Sequence, residues 1–574
     1  MTFTVWVPDL TRVRILVDGA EHEMTPWRNS GWWVWDGEGT DYAYMLGDDD
    51  TPLPDPRSVW QPDGVHGPSR TYDHNVFPWS DHDWAGLELP RSTVYELHIG
   101  TFATVGDFDS AIDRLDHLVD LGIDFVEVLP INSFDGPYGW GYDGVVWGAV
   151  HEPYGGPDGF KRFVNACHAR GLGVVLDVVY NHLGPSGAYL DRFGPYFAGQ
   201  NDWGPGLNLD GPGSDQVRRY VLDNAMTWFE HFHVDALRLD AVHALADKRA
   251  LSLLEELSAE TERMAKALSR PLTLIAESDL NDPRMITPRV EHGLGMDAQW
   301  ADDIHHALHV RLTGETSGYY ADFAAPGALA TTLRCAFFHA NTWSSFRHRH
   351  HGRPVDPHTV PGHRFVAYLQ NHDQIGNRAT GDRMSATVSP GLLACGAAIV
   401  MCLPYTPMVF MGEEWAASTP WQFFASFPDA ELANAVRTGR RREFGRHGWG
   451  ELEVPDPMDP ATFARSKLDW SELDEAPHAR TLALYQHLIA IRKAHPELSD
   501  PNLDGFQVET AEDGSWLVLH RGNFRLACNF SSSTVAISLG AEPSRILLTS
   551  GHDQIDGAEL DLPPESFALV ELRS

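Results

Sequence analysis

VDALRLDAVH, residues 234–243, is the stretch on which the fold turns. It reads as a short buried strand of the kind that lines a parallel sheet, and it ends on an acid, Asp240. Two other stretches repeat the pattern. LTLIAES (272–278) ends on Glu277, and RFVAYLQNHD (364–373) ends on Asp373. In a closed β/α barrel, acids at the C-terminal ends of strands converge on one mouth, where such enzymes do their chemistry.

Moving outward, strand-like and helix-like runs alternate. TVYELHIGTF (93–102) is followed by FDSAIDRLDHLVDLG (108–122), whose apolar spacing predicts one amphipathic helix ending near Gly122. FVEVLPI (125–131) precedes a helix over 156–171, and LGVVLDVVYNH (172–182) precedes one over 216–232. The Asp240 strand precedes a helix over 249–268, and LTLIAES comes fifth. Five such units in a row predict an α/β fold, a (β/α)8 TIM barrel rather than a doubly wound sheet. No GxGxxG follows an early strand, which further disfavours a dinucleotide fold. HRFVAYLQNHD (363–373) and MVFMGEE (408–414) are read as the seventh and eighth strands, and 481–498 as a closing helix.

The ends of the chain differ from this middle. FTVWVP (3–8), RVRILVD (12–18) and WWVWDG (32–37) are short β-rich runs that predict an N-terminal β-sandwich. WLVLH, RLACNF, TVAISL and FALVEL, all beyond Asn502, predict a small C-terminal β-sandwich. The expected domains are 1–88, 89–498 and 499–574.

Composition narrows the partners. Lys and Arg total 43 against 80 Asp and Glu, a net charge of −37 in 574 residues. Such a field repels phosphate backbones and anionic lipid, so neither nucleic acid nor a membrane is expected as a partner. No run is apolar enough to span a bilayer, and MTFTVWVPDL lacks the pattern of a secretory leader. Five scattered cysteines without CxxC spacing suit a reducing cytoplasm and argue against a zinc cluster. No HExxH or HxH spacing supports a metal centre, and no cofactor is expected.

Two carboxyls in a cleft are what glycoside hydrolysis requires. The acid must hold its proton at working pH, and Glu277 follows the apolar run LTLIA, where burial favours the neutral form. Arg238 lies two residues before Asp240 on the same strand face, and a guanidinium favours an ionised neighbour. Asp373 is the third acid, suited to stabilising a cationic transition state. His182 and His372 are candidate donors to sugar hydroxyls; His243 is a weaker candidate.

These stretches resemble the conserved regions of the α-amylase superfamily of glycoside hydrolases. DVVYNH (177–182), ALRLDAVH (236–243), AES (276–278) and QNHD (370–373) are similar to its four motifs. The resemblance implies Asp240 as nucleophile, Glu277 as acid/base and Asp373 as stabiliser of the transition state. It implies Arg238 as partner of the nucleophile, Asp177 as a supporting acid and Tyr142 as the tyrosine stacked on the sugar being cleaved. Asn181 matches an asparagine that some members use for calcium, but no acidic calcium loop follows the third strand.

Longer stretches, among them PDPRSVWQPDGVHGPS (54–69), YELHIGTF (95–102), ESDLNDPR (277–284), YLQNHDQIGNR (368–378) and RSKLDW (465–470), resemble a trehalose-releasing branch of that superfamily. That implies cleavage of the α-1,4 bond beside the terminal trehalose unit of maltooligosyl-trehalose, after a separate synthase has formed that unit. Gln374, Asn377 and Arg378 directly follow Asp373 and are candidates for the leaving side. A glucan branching enzyme or a general maltodextrin hydrolase is the alternative.

Overall fold

A computed structural model describes residues 1–28, 30–446, 454–551 and 554–573. Eight parallel strands close into a barrel in chain order: β1 (Val94–Leu97), β2 (Phe125–Val128), β3 (Gly173–Val178), β4 (Ala236–Leu239), β5 (Thr273–Ala276), β6 (Ala298–Trp300), β7 (Phe365–Tyr368) and β8 (Thr406–Phe410). β8 pairs with β1 to complete the circle. Every residue of all eight strands is buried, as expected where helices cover the outside and side chains fill the inside.

The helix over 253–268 shows how local sequence fixes an element. Ser252 caps the Glu255 N–H while the Glu255 carboxylate reaches back to the Ser252 N–H, a reciprocal cap. Leu253, Leu254, Leu257 and Thr261 then bury one face. The expected single helix over 108–122 is two pieces, Phe108–Ile112 and Leu115–Leu121, broken at Asp113–Arg114. Phe108, Ala111, Leu115 and Leu118 are all buried, so the apolar spacing runs on across the break and conceals it. Gly122 ends the second piece at φ 92°, in the left-handed region glycine favours.

The N-terminal part is a sandwich. One sheet has three strands (Thr2–Trp6, Trp32–Asp36, Thr25–Trp27) and the other four (Ala20–Glu23, Val13–Val17, Asp41–Leu46, Ser69–Arg70). Phe3 meets Tyr42 edge-on between them, with ring centres 4.9 Å apart. It docks on the barrel through Arg57, which lies between the rings of Trp32 and Tyr220 and pairs with Asp223 at 2.9 Å. The C-terminal part has five- and three-stranded sheets sharing a core of Val518, Ala527, Ile537, Leu560 and Val570. Its strands Phe524–Asn529 and Ser566–Leu572 pack on the barrel helix Pro390–Cys402. Residues 394–402 of that helix are all buried, between Leu312 and Leu369 inside and this sheet outside.

Candidate active site

Arg238 organises the mouth of the barrel. It stands opposite Asp177 in the β3–β4 register and is fully enclosed. Its Nη1 donates to Asp177 Oδ2 at 2.7 Å and to Asp240 Oδ1 at 2.9 Å. Its Nη2 lies 3.5 Å from Glu277 Oε2. The Trp300 ring lies against the guanidinium, 4.2 Å from its centre, and closes off solvent. One cation thus sets the positions of three acids from three strands. Arg238 touches no open space, so any effect on a substrate runs through those carboxylates.

Asp240 presents both oxygens as acceptors. Arg238 takes Oδ1, and the Asn181 amide donates to Oδ2 at 2.6 Å and to the Asp240 carbonyl at 3.0 Å. The resemblance matched Asn181 to an asparagine that some members use for calcium, without a calcium site being expected; here its amide braces Asp240. The next residue, Ala241, sits at φ 40° in the left-handed region, and its N–H donates to Glu277 Oε2 at 2.5 Å. That turn binds the two acids through the backbone.

Glu277 is partly open to the mouth, with 17% of its side chain exposed. Burial pushes its carboxyl up to about 8; Arg238 opposes this, and the negative charges of Asp240, Asp373 and Asp302 add to it. It therefore keeps its proton at neutral pH. Burial also lifts Asp177, to about 6, against the pull of Arg238.

Asp373 lies on a short helical turn, His372–Gly376, capped by Asn371. It is the most open of the three acids, 42% exposed, with His372 Nε2 3.5 Å from Oδ1 and the Asn377 amide donating to Oδ1 at 3.3 Å. Tyr142 lies parallel to the His372 ring at 5.1 Å and donates its hydroxyl to Asp177 at 2.6 Å. Gly141 makes this possible: at φ 100° its missing Cβ would fall 2.0 Å from the Pro130 carbonyl. His182 is buried, between Asn181 Oδ1 at 2.5 Å and the Tyr142 carbonyl at 3.0 Å, and burial lowers its pKa. Half-exposed Trp203 stacks towards His182, centres 6.0 Å apart, and offers an open ring face near the mouth. His243 Nδ1 accepts from the Asp279 N–H at 3.3 Å.

Beyond Asp373 lies a cavity of about 390 Å³. Gln374, Asn377 and Arg378 line one wall, facing Asp302, Tyr319, Phe346 and Arg347. Gln374 leans on Asp302 at 3.5 Å, and Arg378 pairs with Glu315 at 2.9 Å and Asp382 at 2.8 Å. Sequence reading overlooked Glu96, Trp300 and Asp302. Glu96 carried a signal, an acid inside an apolar strand; Trp300 lies on β6, too short to stand out.

Comparison with known proteins agrees with this arrangement. The alpha amylase catalytic-domain family matches residues 76–203, and a family of unknown function, DUF3459, matches 501–569. The malto-oligosyltrehalose trehalohydrolase of Arthrobacter ramosus is 53% identical over 99% of both chains. That of Rhizobium sp. (strain M-11) is 51% identical, over 99% of this chain and 97% of its own. A solved alpha-amylase-like protein of Salmonella typhimurium is 34% identical with a TM-score of 0.91, covering 100% of this chain and 97% of that one. By its barrel, its carboxylates and its similarity along nearly the whole length, this chain belongs to the malto-oligosyltrehalose trehalohydrolase family of α-amylase-type glycoside hydrolases.

Proposed function

We propose that the protein hydrolyses the α-1,4 bond next to the terminal trehalose unit of maltooligosyl-trehalose, with retention, releasing trehalose. The observation that carries the chemistry is the pairing at Arg238. One guanidinium reaches both Asp240 and Glu277, and of these Glu277 is held protonated near neutrality. A retaining site needs two carboxyls about 5–5.5 Å apart, one ionised and one protonated. Asp240 attacks the anomeric carbon while Glu277 protonates the departing glycosidic oxygen. The C–O bond breaks, and a glycosyl ester forms on Asp240. The Glu277 carboxylate then takes a proton from water, whose oxygen attacks the same carbon and frees Asp240. Asp373 faces the developing positive charge of the sugar.

The trehalose preference rests on the full-length similarity to enzymes named for it and on the cavity beyond Asp373. Gln374, Asn377 and Arg378 form that wall, and Tyr142 faces the sugar being cleaved, backed by the buried rings of His182 and His372. The barrel within 89–498 carries the reaction, flanked by units at 1–88 and 499–574. A synthase that builds the trehalose end would supply the substrate, in a reducing cytoplasm suited to five unpaired cysteines. Among the described residues no helix is long and apolar enough to cross a membrane.

The test is product analysis on maltotriosyl-trehalose beside maltopentaose at equal concentration. Rapid release of trehalose with slow cutting of maltopentaose supports the reading. Equal cutting of both reduces it to a general maltodextrin hydrolase, and branched product from amylose moves it to a transferase.

A further inference from the structure

Glu96 lies in YELHIGTF (95–102) but in none of the four short motifs and not among the three acids, yet it grips the site from the far side of the barrel. It lies in the middle of β1 and is 1% exposed. One oxygen accepts from the His372 ring Nδ1 at 2.5 Å; the other accepts from the His372 backbone N–H at 3.1 Å. The carboxylate therefore holds both the ring and the first N–H of the turn that carries Asp373.

Hydrogen-bond accounting fixes the state of that ring. Tyr142 has one hydroxyl proton, and it goes to Asp177 Oδ2 at 2.6 Å. The contact between Tyr142 and His372 Nε2, 2.8 Å, then needs its proton from the ring. Nδ1 faces a carboxylate and also donates. Both ring nitrogens carry hydrogen, which makes the ring an imidazolium. The surroundings agree. Burial alone would lower His372, but the charges of Asp373 and Glu96 outweigh it and lift the ring to about 9. The other titratable or charged groups facing it are Tyr142, Arg238, His98 and Glu127. Arg238 opposes the charge. Burial holds His98 neutral, down to about 3. Glu127 stands opposite Glu96 in the β1–β2 register, has no hydrogen-bond partner on either oxygen among the described residues, and burial and the charge of Glu96 push its carboxyl well above the usual carboxylate range.

We infer that Glu96 is a positioning residue for the reaction: it keeps His372 as a cation across the working pH range and fixes the turn that presents Asp373 to the sugar. The inference deepens the proposed function, and its kinetic arm rests on that reading. The cation beside Asp373 and Tyr142 orients both; it is 1% exposed with both N–H groups taken, so it acts on the sugar through those two side chains. Glu96→Gln removes the charge and one of the two acceptors while keeping the shape.

The experiment has two arms. In the first, kcat/KM on maltotriosyl-trehalose is followed against pH. Wild type falls above about 8, set by Glu277. Glu96→Gln should lose about 10²-fold at neutrality and begin to fall at least about one pH unit earlier, because a neutral ring then forms first. Glu96→Asp, which keeps the charge, should restore the wild-type limb in part, whereas Glu127→Gln should leave the limb where it is. A Glu96→Gln profile lowered equally at every pH overturns the inference. In the second arm, ring ¹⁵N shifts of wild type are measured at about pH 8, with His372→Asn identifying the signal. An imidazolium pair lost in that variant supports the inference, and a neutral ring overturns it. The second arm needs no substrate and no Glu96 variant. A wild type inactive on maltotriosyl-trehalose would refute the substrate reading and leave the state of the ring still measurable.

Discussion

Replacing Glu277 with Gln should stabilise this protein at neutral pH while removing its turnover. In the folded state burial pushes the Glu277 carboxyl to about 8; its ordinary value is 4.5. Below about 4.5 the group is protonated in both the folded and the unfolded chain, and it sets no stability difference. Between 4.5 and 8 the unfolded chain ionises freely while the folded one must hold its proton, so stability falls as pH rises through this window. At pH 7 the gap spans two and a half pH units, which at about 1.4 kcal/mol each is about 3–4 kcal/mol. Gln has no proton to hold. It also keeps the packing, because both contacts of the carboxyl, the Ala241 N–H and Arg238, fall on the single oxygen Oε2. Urea unfolding of wild type and Glu277→Gln, followed by a barrel probe at about pH 4.5 and about pH 7.5, reads the difference. The variant should gain only at the higher pH. An equal gain at both, or a loss at neutrality, would refute the reasoning, and full turnover by the variant would refute the role of Glu277 as acid.

Four further outcomes follow from the same geometry. The wild-type rate should fall as pH rises through about 8, since the acid must be protonated to act; a profile flat to about pH 10 would contradict this. Arg238→Met should destabilise by about 3–5 kcal/mol and lower kcat by about 10³-fold or more, because it strands buried carboxylates, as denaturation and turnover would record. Gln374→Ala should weaken the preference for a trehalose end more than general maltodextrin cleavage; an equal fall in both would count against that wall. Gly141→Ala forces a Cβ against the Pro130 carbonyl and should cost about 1–3 kcal/mol and displace Tyr142, visible as a drop in kcat without a change in the basic limb.

Most of the barrel was legible because its strands are short apolar runs in a repeating frame. β6 was not, since Ala298–Trp300 supplies only three residues, too few for periodicity to register. The break at Asp113–Arg114 was hidden because the inward-facing spacing continues through it. At the site, strand-end acids were readable because position along a strand predicts position at the mouth. The partners were less so. Asn181 bracing Asp240, Trp300 capping Arg238 and Glu96 holding His372 are contacts between strands far apart in sequence, set by the closure of the barrel. The family likeness gave Arg238 as partner of Asp240 and Asp177 as a supporting acid, but only the register puts Asp177 and Arg238 face to face.

The helix Pro390–Cys402 has a practical consequence for handling the chain. A barrel helix in contact with water normally keeps one polar face, whereas this one has none over residues 394–402 because the C-terminal sheet lies on it. A shortened version ending near residue 500 would expose a greasy ridge of Ala, Cys, Ile, Val and Met with nothing to shield it. Such a fragment should precipitate or recruit chaperones rather than behave as a minimal enzyme. The terminal segment therefore works as an intramolecular solubiliser, and grafting this barrel into a fusion or exchanging its end with that of a relative requires the helix and the sheet to travel together.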